Sequence, residues 1–120
     1  MLHIVGIKNC NKIRDTKNWM AEREVEFEFI DVKKEPLNRD ELQELADKVG
    51  LEVLINKKGM MWRKLGLAKK DLTDSELFDV LLENQNMIKR PVLIKNDAVL
   101  VGYDEDAFEP FLEENEAEDG

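Results

Sequence analysis

Apolar and polar residues along this chain fall into blocks whose period changes from one block to the next. Residues 2–7 (LHIVGI) are a short apolar run with β-branched members and read as a buried strand. A polar turn at residues 9–11 follows, and Ile13, Thr16 and Met20 then recur on one face of a helix capped by Asn11 and ending at Glu22 or Arg23. Residues 25–32 (VEFEFIDV) alternate Val25, Phe27 and Phe29 with glutamates, the period of a half-exposed strand. Asn38 with Glu41, and Thr73 with Glu76, match the capping-box spacing. They open helices carrying Leu42, Leu45, Ala46 and Val49 in the first case, and Leu77, Phe78, Leu81 and Leu82 in the second. The first stops at Gly50 and leads through a short apolar element at residues 53–55 into a basic loop at residues 57–59. Residues 90–94 (RPVLI) predict a strand with proline at its start, where the missing N–H does least harm, and residues 98–103 (AVLVGY) predict its hairpin partner. Asp104 starts a last helix through Ala107, Phe108, Phe111 and Leu112.

The order is β α β, a helical insert, then β β α. Two strands joined by a helix pair in parallel with a right-handed crossover, and a hairpin pairs antiparallel, so this is an α/β, thioredoxin-like plan, βαβ…ββα, with a helical insertion between its halves. A chain of 120 residues fits one domain, expected over residues 1–113 with the insertion at about 38–85. Residues 114–120 close the chain as an acidic tail expected to be disordered.

Charge changes the picture more than composition does. The net charge of −9 argues against nucleic acid or membrane as partners, since either needs a basic surface. Yet residues 7–17, 56–70 and 86–95 carry +3, +6 and +3, leaving −21 for the rest. No apolar run is long enough to span a bilayer and no export signal opens the sequence, so a cytoplasmic location is expected.

Candidate chemistry centres on Cys10, the one cysteine, at the turn from first strand to first helix. A buried thiol commonly acts as a small hydrophobe. Here the unpaired N–H groups and positive dipole end of the helix, with Lys8, Lys12 and Arg14 nearby, favour a nucleophilic thiolate. In a thioredoxin-like plan Pro91 faces that helix terminus, which brings Arg90 near Cys10 with a guanidinium suited to a carboxylate or oxyanion. The segment NKKGMMWRKLG (residues 56–66) either solvates a loop and fills core space or forms a basic wall facing the thiol. His3 reads as structural, no metal-ligand spacing occurs, and Gly6 stands alone with no phosphate-binding loop around it.

GIKNC before a helix, NKKGMMWRKLGL, KRPVLI and VGYDEDAF together resemble the arsenate-reductase-related (ArsC-like) family, with the greatest likeness to YffB-type proteins and a more distant one to Spx-type regulators. The resemblance implies that Cys10 is the nucleophile and that the bond before Pro91 is cis. It also implies three arginines around the oxyanion in true arsenate reductases; of these Arg90 is present, while Asn56 and Gly102 or Tyr103 stand at the other two positions. Residue 13 is isoleucine, so the C-x-x-C redox pair of Spx-type proteins cannot form. The expected activity is a glutathione-dependent thiol-disulfide oxidoreductase with a single nucleophilic cysteine; arsenate reduction and Spx-like binding to an RNA polymerase subunit are the alternatives. The expected substrate-binding set is Asn9, Asn11, Lys12, Arg90, Pro91, Arg63 and Lys57. No bound cofactor or metal is expected. Glutathione is the expected co-substrate for a small anionic or disulfide substrate, with glutathione, glutaredoxin or thioredoxin as the expected reductant.

Overall fold

The computed structural model describes residues 1–114. Four strands, β1 (Leu2–Gly6), β2 (Phe27–Asp31), β3 (Val92–Lys95) and β4 (Ala98–Val101), form one sheet in the order β2-β1-β3-β4. β1 and β2 are parallel, β3 is antiparallel to both β1 and β4, and the thioredoxin-like order of the sequence reading is realised. Helices α1 (Asn11–Glu22) and α6 (Glu105–Glu114) cover one face. The other face is covered by the insertion: α2 (Arg39–Val49), α3 (Leu51–Leu54), α4 (Met60–Lys64) and α5 (Asp74–Glu83).

Side-chain alternation sorts the core into two layers. Leu2, Ile4 and Leu93 pack with Ile13, Trp19, Met20, Phe108 and Phe111, and the Trp19 and Phe108 rings meet edge-on at 5.2 Å. Val5 and Val92 face the opposite way, against Leu42, Leu45, Leu54, Phe78 and Leu81 of the insertion. Both capping boxes form in full: the Asn38 and Thr73 side chains accept the Glu41 and Glu76 N–H groups, and each glutamate accepts its cap residue's N–H in return. That contact, above all the Thr73 N–H, holds the Glu76 carboxyl below the usual carboxylate range.

Several boundaries differ from the sequence reading. Asn11 is the first helical residue and Cys10 is the cap, because Cys10 has extended backbone angles (φ −138°, ψ 128°) and its carbonyl accepts the Arg14 N–H at 3.0 Å. β2 begins at Phe27, not Val25: Glu24 turns the chain with φ 57°, and the Val25 N–H donates back to the Met20 carbonyl. β3 starts two residues later than expected, at Val92, and β4 stops at Val101 before Gly102, whose φ is 99°. The apolar residues 53–55 close a single helical turn instead of extending, with Ile55 bridging to Ile88. α6 runs to Glu114, one residue into the segment expected to be tail; the remainder of that expectation, residues 115–120, lies outside the described residues.

Gly6 has a structural task that its isolation in the sequence did not disclose. A Cβ there would lie 2.2 Å from Ile13 Cδ1 and 2.7 Å from Ile13 Cγ1, and Ile13 is fully buried. The absent side chain lets α1 close on the end of β1. Gly6→Ala is therefore expected to destabilise the fold by about 1–3 kcal/mol through overpacking. Adding Ile13→Val, which removes the nearer of the two clashing carbons, should recover part of the loss in a denaturant-unfolding double-mutant cycle; strict additivity of the two losses would contradict the contact.

Candidate functional site

Strand pairing alone brings three chain segments to one edge of the sheet. Val5 of β1 stands opposite Val92 of β3, and Val92 stands opposite Val101 of β4. The C-terminal ends of β1 and β4 and the N-terminal end of β3 therefore lie side by side. The Gly102 N–H donates to the Pro91 carbonyl at 2.8 Å, fastening the start of the β4–α6 corner to the cis proline. The insertion reaches the same edge through backbone bonds from Lys89 N–H to the Leu54 carbonyl (2.6 Å) and from Asn56 N–H to the Met87 carbonyl (2.9 Å).

A cavity of about 890 Å³ opens where these segments meet. Cys10, half-buried, lines it together with Asn11, Lys12, Asn56, Lys57, Lys58, Lys89, Arg90, Tyr103 and Asp104. Five cationic side chains (Lys12, Lys57, Lys58, Lys89, Arg90) face two acidic ones (Glu52, Asp104), so this end of an acidic protein is locally basic. The start of α1 adds to this. Its first turn contains no acid and its N-cap makes no side-chain hydrogen bond, whereas α2, α5 and α6 each carry two acids in the first turn. The positive end of α1 is left for whatever occupies the cavity.

Of the expected site residues, the structure brings Cys10, Asn11, Lys12, Lys57 and Arg90 together around this cavity. Arg90 is anchored at its tip by donation from Nη1 to the Asn86 carbonyl at 2.8 Å. Lys57 is ion-paired with Glu52. Pro91, preceded by a cis peptide bond, is buried and does not line the cavity. Asn9 is exposed outside it. Arg63 does not line it either: the loop folds into α4, and Arg63 Nη2 donates to the Lys58 carbonyl at 3.2 Å. Of the cations of the basic segment only Lys57 and Lys58 reach the cavity, beside Asn56, while Met61 and Trp62 pack against the core and line a smaller neighbouring cavity that shares Arg90.

The sequence pattern does not single out Glu52, Lys89 or Asp104 as cavity residues, and it marks Lys58 only as a member of the basic segment that could wall the thiol site. Lys89 lies in the basic stretch beside Arg90, and Asp104 carries only the signal of a helix start. Nothing local marks Glu52.

The fold with a thiol at the head of α1 and a cis proline leading β3 defines a thioredoxin-like protein carrying a helical insertion. The ArsC family model matches residues 5–111, and the chain belongs to the ArsC family. An uncharacterized protein of Haemophilus influenzae is 30% identical over 110 residues, covering 91% of this chain and 96% of the relative. The global transcriptional regulator Spx of Streptococcus pyogenes is 27% identical over 106 residues, covering 87% and 79%. Among solved structures, the YFFB protein superposes with a TM-score of 0.85 at 31% identity, over 92% of this chain and 97% of that one. An arsenate reductase (ArsC) related protein from Brucella melitensis gives 0.77 at 28% identity, over 92% and 93%.

Tyr103, the one tyrosine of the chain, donates its hydroxyl to the Glu105 carboxylate, stacks edge-on against Phe108 at 5.3 Å, and is pushed up to about 12. The hydrogen bond is the main cause: ionisation would lose the donor and set a phenolate beside a carboxylate. Because the folded value lies above the unfolded one, the associated stabilisation is complete below about pH 10 and is lost as pH rises through the folded value. A phenolate absorbance titration should thus have its midpoint near 12 in the native protein and move down in Glu105→Gln. An unchanged midpoint in that variant would contradict the assignment.

Proposed function

We propose that this protein is a glutathione-dependent thiol-disulfide oxidoreductase in which Cys10 is the single nucleophile. The observation that carries this reading is the union, in one open cavity, of Cys10 at the N-terminus of a helix that has no side-chain cap hydrogen bond with five cationic side chains. In the proposed reaction the Cys10 thiolate attacks one sulfur of a disulfide and forms a mixed disulfide with it. A second thiol, from glutathione or from a glutaredoxin or thioredoxin, then attacks the mixed disulfide and returns Cys10 to its reduced form. No second cysteine exists to resolve the intermediate internally, so the second thiol must come from outside. Lys12, Lys57 and Arg90 hold the carboxylates of the bound tripeptide, and Asn11 offers polar contacts at the head of α1.

The residues at the cavity wall count against arsenate as substrate. Arg90 is the one arginine among the cavity-lining residues, and Asn56, Gly102 and Tyr103 occupy the wall where the family resemblance implies the other two arginines. A second reading is supported by the likeness to Spx, which extends over 87% of the chain: a regulator that binds a protein partner such as an RNA polymerase subunit without turning over a substrate.

Exposure to oxidised glutathione should add one glutathionyl group to the intact mass, at Cys10, and Cys10→Ser should add none. Arg90→Ala should slow adduct formation about tenfold, the scale of a lost charge-assisted hydrogen bond. Steady turnover of arsenate, or a partner complex that survives Cys10→Ser in a protein that forms no adduct, would displace this reading in favour of the alternatives.

A further inference from the structure

We propose that the Cys10 cavity binds its disulfide ligand in one orientation, with the ammonium of an α-amino-acid head group on the Asp104 carboxylate and the ligand's carboxylates toward the lysines and Arg90. The proposal rests on the glutathione reading above and specifies how that ligand is recognised.

The cavity holds two acids among five cations, and the two acids are not equivalent. Glu52 is ion-paired with Lys57, so the cations without an ion pair among the described residues are Lys12, Lys58, Lys89 and Arg90. Asp104 makes no ion pair among the described residues; its Oδ1 accepts the Asp106 N–H at 3.1 Å, which leaves the rest of the carboxylate to solvent and cavity. It stands at the β4–α6 corner that the Gly102-to-Pro91 bond fixes against the Arg90–Pro91 wall. For a ligand that is only anionic this carboxylate is a liability, because it repels the charge that the cations attract. For a ligand carrying both signs it supplies the missing complement. Glutathione presents one ammonium and two carboxylates, so a cavity rich in cations with one unpaired acid matches its charge pattern, whereas an inorganic oxyanion matches only part of the cavity.

The covalent step needs no external oxidant. The Cys10 thiolate forms a bond to one sulfur of glutathione disulfide as the original sulfur–sulfur bond breaks, and the departing glutathione thiolate takes a proton from water.

The test compares initial rates of Cys10 adduct formation from glutathione disulfide and from the disulfide of N-acetylglutathione, in which the amine is neutral and the carboxylates are unchanged. The cavity's general positive charge would by itself favour the acetylated compound, which is the more anionic of the two. The proposal expects the opposite, a preference of about fivefold for the free amine, as for a partly exposed ion pair. Asp104→Asn should abolish that preference. Asparagine caps helices as well as aspartate does, so the variant removes the charge and keeps the local fold, which a thermal melt would verify. If both disulfides react equally with the native protein, or if the preference persists in Asp104→Asn, the orientation is wrong while the glutathione reading stands. If neither disulfide yields an adduct, both fail.

Discussion

The site depends on the antiparallel register of β3 on β1. Pairing Val5 with Val92 decides which residues project beyond the sheet edge, and it is held by four fully buried side chains, Ile4, Val5, Val92 and Leu93, divided between two cores. Moving β3 by one residue would send Val92 to the helix α1 layer and Leu93 to the insertion, an exchange of shapes in two close-packed interiors at once. With the register fixed, Cys10 and Arg90 need no direct interaction to become neighbours. Each follows or precedes a strand whose place is already determined.

The two faces of the sheet then act differently at that edge. On the α1 face the position of the thiol is set by a close approach, since the bare backbone of Gly6 admits Ile13 and so brings the head of α1 down to the end of β1. On the insertion face the cations arrive by backbone stitching, through the Ile55–Ile88 bridge and the bonds of Asn56 and Lys89. The insertion is closed from below by Gln85, whose buried amide accepts the Leu37 N–H at 2.8 Å and donates to the Leu37 carbonyl at 2.7 Å, imitating a strand partner 48 residues away. An amide used this way commits the whole insertion to one placement, because displacing it would strand two backbone groups in the core.

Legibility in the sequence followed the range of the physics involved. The capping boxes at Asn38 and Thr73, the hairpin around residues 96–97 and the alternation of Phe27 and Phe29 with Glu28 in β2 are local, and each reads from fewer than a dozen residues. The proximity of Cys10 and Arg90 was also legible, once element order implied the topology. The role of Gly6, the pairing of Gln85 with Leu37 and the presence of Glu52 in the cavity are contacts between distant segments, and nothing at those positions hints at them. The basic segment is the instructive intermediate case. Its charge was visible, but its folding into α4 turned Arg63 onto the Lys58 carbonyl and left Lys57 and Lys58 as its only cations at the cavity, a division that depends on helix phase and not on composition.

A net charge of −9 and a basic cavity are compatible because electrostatic range is short under cellular conditions. The influence of an exposed charge falls off over about 8 Å at physiological ionic strength. The molecule measures 46 × 27 × 26 Å, so acids on its far surfaces lie several screening lengths from the cavity. A ligand inside the cavity experiences Lys12, Lys57, Lys58, Lys89, Arg90 and the end of α1, with Glu52 and Asp104 as the local opposition. At low ionic strength the far acids regain their influence and repel an approaching anion, so the protein's overall charge and its local charge act in opposite directions on association. Selectivity must then come from contacts made inside the cavity, where a ligand bearing both signs satisfies more of the wall than a simple anion does, and not from long-range attraction.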